Sequence, residues 1–149
     1  MHLSADVVVH RTPEAVTAFL GDVRNVPRWD RGVGSVHVPD AGASGVGFAF
    51  ETLGHPGSAA DDGRMAYEVS AAGPEGSTVR LTSTDGNARY FKNAAWHFRL
   101  DPVPDGTRIT CVAEFTLHFR YLFLAPVLFF TRRAIRTDLE HLRDVLEAA

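Results

Sequence analysis

Between Ser35 and Phe119 the chain is written in short runs that alternate apolar and polar residues, and from Tyr121 to Ala149 the period becomes that of one long helix. Alternation with period two gives a strand one buried and one solvated face, whereas a 3.6-residue period gives a helix one apolar stripe. A chain in this order builds a sheet and then covers it with a helix. If the sheet curves around the helix, the space between them is a cavity. A lining of Phe, Trp, Tyr and Met side chains suits it to an apolar small molecule.

Six segments carry the alternation, at residues 35–38, 45–53, 64–71, 77–84, 90–101 and 107–119, after an opening strand near Ala5 to His10. Turn-forming pieces separate them, among them Gly73-Pro74-Glu75-Gly76, Asp85-Gly86-Asn87 and Pro104-Asp105-Gly106. The predicted result is an antiparallel meander, hence an α+β fold. Thr12-Pro13-Glu14 reads as a capped helix start that Gly21 can end, and a second short helix around Val23 to Asp30 is interrupted by Pro27. The only long connection, Gly54 to Gly63, suits either a flap beside a cavity or a plain solvated loop.

Parity assigns the faces. Ile109, Cys111, Ala113, Phe115, Leu117 and Phe119 share the inner side of the last strand, and Phe48, Phe50, Thr52, Met65, Tyr67, Val69, Val79, Leu81 and Ser83 point the same way. Tyr90, Ala94, Trp96, Phe98 and Leu100 do so in the strand between, leaving His97 and Arg99 outside. A three-residue loop at Pro104-Asp105-Gly106 would instead set Arg99 opposite Cys111 and turn both polar residues inward. The apolar pattern is preferred, with a bulge to reconcile it with the turn. In the final helix Leu124, Leu128, Ile135, Leu139, Leu142 and Leu146 form the apolar stripe, while Arg132, Arg133, Arg136, Asp138, Glu140, Arg143 and Glu147 read as a solvated face. Pro126 marks a first turn or kinks the helix.

A length of 149 residues fits one domain, and 45% hydrophobic with 22% charged residues is ordinary globular composition. The net charge of −3 argues against a nucleic-acid partner, whose phosphates call for a basic surface. The lone Cys111 excludes an intrachain disulfide and a Cys-cluster metal site. The seven histidines have no ligand spacing on one element, so no metal and no cofactor is expected. Without a secretory leader a cytoplasmic location is the expectation. The apolar run 121–130 is about half the ~20 residues of a membrane span, so it belongs in a core or lies on a surface.

The candidate ligand-binding residues are Trp29, Phe48, Phe50, Met65, Tyr67, Leu81, Ser83, Trp96, Phe98, Cys111, Phe115, Leu128 and Ile135. Aromatic faces grip rings at low entropy cost, but the same residues also fill closed cores, and both readings stand. The hydroxyls of Thr52, Tyr67 and Ser83 either orient a ligand oxygen or are satisfied by backbone. A buried Cys111 acts as a small hydrophobe rather than a nucleophile.

Local wording adds a resemblance. Val9-His10-Arg11-Thr12-Pro13-Glu14-Ala15-Val16, Pro27-Arg28-Trp29, the hairpin Trp96-His97-Phe98-Arg99-Leu100-Asp101-Pro102 with Asp105-Gly106-Thr107-Arg108-Ile109-Thr110, and Asp138-Leu139-Glu140-His141-Leu142 with Glu147 resemble the START/Bet v 1-like helix-grip superfamily, in its polyketide cyclase/dehydrase and lipid transport branch. The resemblance spans essentially the whole chain. It implies a curved seven-stranded antiparallel sheet around a long C-terminal helix, with two short helices between the first and second strands. It further implies binding or carriage of a hydrophobic molecule, or aromatase/cyclase or dehydratase chemistry, for which the inward hydroxyls of Tyr67 and Ser83 would be the proton-handling or orienting groups, with Arg99 added only under the turn-based register. A third expectation is a docking module whose 121–130 segment meets a partner or a membrane periphery. Ligand identity and oligomeric state lie beyond the sequence.

Overall fold

The computed structural model describes residues 1–38, 46–55, 64–83, 86–129 and 131–148. Seven strands form one antiparallel, curved sheet: β1 (His2–Val9), β2 (Ser35–His37), β3 (Ala49–Leu53), β4 (Met65–Gly73), β5 (Gly76–Leu81), β6 (Phe91–Val103) and β7 (Gly106–Leu117), in the spatial order β1-β7-β6-β5-β4-β3-β2. Only one connection is not a meander. It runs from β1 at one edge to β2 at the other, and carries α1 (Pro13–Gly21) and α2 (Val26–Trp29). Thr12 caps α1 by accepting from the Ala15 amide at 3.2 Å, and Pro13 and Pro27 each occupy a first helical turn, where a missing N–H costs nothing.

The β6–β7 hairpin decides the facing of the longest strands. Val103 pairs with Gly106, so the loop is the two residues Pro104 and Asp105, and Phe98 falls opposite Cys111 with Trp96 opposite Ala113. The three-residue loop and its reconciling bulge are therefore not used at this end. The irregularity lies between Phe91 and Asn93. His97 and Arg99 are on the outer face, where His97 donates to Glu114 at 2.9 Å, receives the Thr78 hydroxyl at 2.9 Å, and Arg99 pairs with Asp101.

The last quarter of the chain does not start as an α-helix at Tyr121. A 3₁₀ turn (Phe119–Leu124) leads into α3 (Ala125–Phe129) and then α4 (Thr131–Ala148), joined by a hydrogen bond from the Thr131 hydroxyl to the Leu128 carbonyl. Pro126 sits in the first turn of α3, the position its ring tolerates. Phe119, placed inward by parity, follows the end of β7 and is 89% exposed. Parity ends with the strand.

Packing divides the interior into three buried clusters. Leu139, Leu142 and Leu146 of α4 lie on Val7, Val9, Leu100, Ile109 and Cys111, with Val16 of α1. Leu3, Ala94, Ala113 and Phe115 form a second cluster, and Val23, Phe48, Phe50 and Val69 a third beneath α2. Of the 54–63 loop only Gly54 and His55 are described, so the expected flap lies outside the described residues.

Candidate functional site

The three clusters meet at residues that fill none of them. Trp29, Tyr67, Leu81, Trp96, Phe98 and Ile135 pack against cluster edges, yet all are only half-buried although they project from the inner face of the sheet or from the helices over it. A small domain ordinarily has one contiguous core. Inward side chains that stay incompletely buried between separate clusters are the candidate walls of an interior space.

Those walls are built by strand geometry. Phe48 and Phe50 stack at 6.3 Å, Phe50 stacks on its cross-strand partner Tyr67 at 5.4 Å, Tyr67 meets Trp96 edge-on at 5.4 Å, and Trp96 meets Phe115 edge-on at 5.6 Å. Strands lie about 4.8 Å apart, so Tyr67 and Trp96, two strands distant, touch only because long rings lean across the smaller side chains of β5. Trp29 closes one side edge-on to Phe98 at 5.9 Å. The result is a band of rings offering faces and edges to the interior.

The other sequence-selected residues fall around this band. Phe48, Phe50, Cys111 and Phe115 are buried, while Met65 and Ser83 are half-buried at its margin. The Tyr67 hydroxyl donates to the Met65 sulfur at 3.5 Å, and Ser83 accepts from the Ala66 amide at 3.1 Å, so that hydroxyl oxygen is engaged by backbone. Leu128 is half-buried on α3 and belongs to none of the three clusters.

Sequence reasoning missed the polar end of the site. Asp138, read as part of a solvated face, is half-buried and accepts from the Arg31 amide at 3.4 Å, while Asp30 after α2 accepts from the Gly32 amide at 2.9 Å. Burial, then the charge of Asp30, pushes Asp138 up to about 6, against the opposing Arg31 and His141. Burial likewise raises Asp30. Both carboxyls lie close enough to Cys111 to add to the burial that pushes its thiol up to about 12, where it is inert. Tyr67 is also pushed up to about 12 by burial, with Thr52 opposing, so it stays a neutral hydrogen-bond donor. The pattern did hold a clue: Asp138 stands three residues after Ile135 and four before Leu142, on the apolar stripe itself.

The α2–β2 loop is strapped over this end. His141 donates to the Trp29 carbonyl at 3.2 Å and His55 to the Arg31 carbonyl at 2.8 Å. The segment carrying Trp29 and Asp30 is thereby held to α4 and to the end of β3.

Comparisons with known proteins agree with this architecture. The sequence model of the family described as polyketide cyclase / dehydrase and lipid transport matches residues 1–147. The aromatase/cyclase ZhuI from Streptomyces sp. R1128 superposes with a TM-score of 0.76 at 12% identity, covering 99% of this chain and 93% of that one. Ara h 8.0201 superposes with a TM-score of 0.75 at 8% identity over 100% and 99% of the two chains. Norcoclaurine synthase from Thalictrum flavum, solved with dopamine and hydroxybenzaldehyde, gives 0.72 at 12% identity over 99% and 84%. At such identities these likenesses establish the Bet v 1-like helix-grip fold. Among curated proteins no sequence match is found.

Proposed function

The chain belongs to the polyketide cyclase/dehydrase and lipid transport family, and from that premise we propose that it binds a hydrophobic, ring-bearing small molecule between the sheet and the helices that cover it. The observation carrying this reading is the incomplete burial of Trp29, Tyr67, Trp96 and Phe98 on the inner side of the fold. Rings that are inward yet unfilled favour a flat apolar partner, which removes their faces from water and adds edge or stacking contacts of ~0.5–1.5 kcal/mol each. The Asp30 and Asp138 carboxyls supply polarity at one end, so an occupant with a hydroxyl, enol or amine there is favoured over a plain hydrocarbon. Norcoclaurine synthase, of the same fold, holds two small aromatic molecules.

Titration with an anilinonaphthalene sulfonate or a planar polycyclic phenol, read by quenching of Trp29 and Trp96, tests this. Saturable 1:1 quenching weakened about tenfold by Trp96→Ala is expected. Quenching that never saturates, or that Trp96→Ala leaves unchanged, removes the interior from consideration.

A second reading, cyclisation or dehydration of a poly-β-keto chain, is favoured by Asp138. A carboxyl with a pKa of about 6 can give or take a proton near neutrality, and an ordering cavity supplies proximity of up to ~7–11 kcal/mol. Under it Asp138→Asn abolishes turnover of a poly-β-keto thioester while leaving its binding intact. Tyr67 then acts as a donor to the substrate oxygen, and Tyr67→Phe shifts the product distribution.

A further inference from the structure

Away from the ring band, Phe119 is 89%, Phe123 72%, Val127 65% and Leu122 50% exposed, and Pro126 is exposed beside them. Their numbering follows i, i+3, i+4, i+7 and i+8, the repeat that lines one side of a helical segment. Here the apolar stripe faces water. Exposed apolar side chains scattered singly are normal, but a run at helical spacing in 3₁₀ and α turns is a surface made to be covered.

Charge identifies what covers it. From Phe115 to Thr137 the chain holds none of its eighteen acidic residues and four of its fifteen basic ones, within a protein of net charge −3. Those four, Arg120, Arg132, Arg133 and Arg136, are all exposed and flank the stripe on both sides in sequence. Arg136 is shared with Glu140 at 3.4 Å and Arg120 lies over the Tyr121 ring at 5.1 Å, while Arg132 and Arg133 form no ion pair among the described residues. Apolar side chains between guanidinium groups match a surface that is apolar within and anionic at its boundary.

We propose that Phe119, Leu122, Phe123 and Val127, with Arg120, Arg132, Arg133 and Arg136, form a reversible docking surface for an anionic lipid bilayer, in which the apolar side chains enter the headgroup–acyl boundary and the arginines bind lipid phosphates and carboxylates. An interfacial element of this kind penetrates about 5–10 Å and lies in the membrane plane without crossing it. No helix among the described residues is long and apolar enough to cross a membrane. A stripe of five residues is a weak apolar anchor by itself, so attachment depends on the arginines and stays reversible. The proposal rests on this surface alone and not on what fills the interior.

The test is co-sedimentation of the full chain with vesicles of phosphatidylcholine alone and with about 30 mol% phosphatidylserine, at low and high salt, alongside quenching of the interior tryptophans by the planar probe. Binding to the anionic vesicles only, lost at high salt, is expected. Arg132→Gln with Arg133→Gln should weaken it about 25-fold, at roughly fivefold per arginine. Phe119→Ser with Phe123→Ser should weaken it at least about tenfold. All four positions are exposed, so circular dichroism and probe quenching should match the parent and separate this proposal from the ligand reading. Equal binding to both vesicle types, no binding to either, or binding untouched by both double variants overturns it. So does a concentration-dependent dimer that Phe119→Ser with Phe123→Ser dissociates, because a second copy then covers the stripe.

Discussion

Asp138 shows how a single side chain can link folding to function. In an open chain its carboxyl titrates at the ordinary value of 3.8, and in the fold at about 6 because burial and Asp30 disfavour the charge. Between those values the folded state holds more protons than the unfolded state, so stability falls as pH rises through the window and stays reduced above it. Asp138→Asn removes that penalty and still offers an oxygen to the Arg31 amide. After discounting for solvent screening at a half-buried site, the variant should be about 1 kcal/mol more stable at neutral pH and no more stable near pH 4. Urea midpoints at the two pH values check this, and a lower midpoint for the variant at neutral pH contradicts it. The same residue shows where sequence reasoning stops. Charged side chains are nearly always solvated, so a charge on the apolar stripe reads as an outer-face residue until the α2–β2 loop is seen to lie over it.

At the scale of elements, loop length and backbone approach were harder to read than periodicity. The apolar alternation of β6 and β7 outweighed the apparent three-residue turn because the other register would have exposed Trp96, Phe98 and Leu100 together. Gly106 opens β7 directly after the two-residue turn, and its Cα faces the end of β1 so closely that an added Cβ would lie 1.9 Å from the Val9 carbonyl oxygen. Gly21, at the end of α1, meets nothing within 4 Å. Gly106→Ala should therefore cost about 2–4 kcal/mol, since backbone must move, whereas Gly21→Ala should be neutral or stabilising by about 0.5 kcal/mol. Equal denaturation midpoints for the two variants would contradict this. The C-terminal segment starts its α-helix late for a related reason, the first-turn alternative for Pro126 being the one found. Periodicity runs through residues 121–149, but Pro126 can be accommodated only in a first turn, and α3 begins there.

For the whole molecule, the undecided question was whether the inward rings wall a cavity or fill a core, because both use the same residues at the same parity. Sequence encodes which face is apolar and leaves unspecified how much volume remains between faces. Three separate clusters with incompletely buried rings between them favour space, and volume-adding substitutions test it directly. Leu81 borders the ring band beside Tyr67 and is half-buried, whereas Val16 of α1 is fully buried at 0% exposure among the α4 leucines. Adding methylenes to filled space costs about 1–3 kcal/mol, while adding them to empty space does not. Leu81→Phe should accordingly keep the parent midpoint and lose planar-probe binding at least about tenfold, with Val16→Phe losing about 2–3 kcal/mol and keeping its probe affinity when measured in the folded state. If Leu81→Phe is as destabilising as Val16→Phe, the interior is filled and the ring band is core. If it is stable but still binds the probe as the parent does, the probe sits elsewhere, and the exposed stripe at residues 119–127 is the surface to examine next.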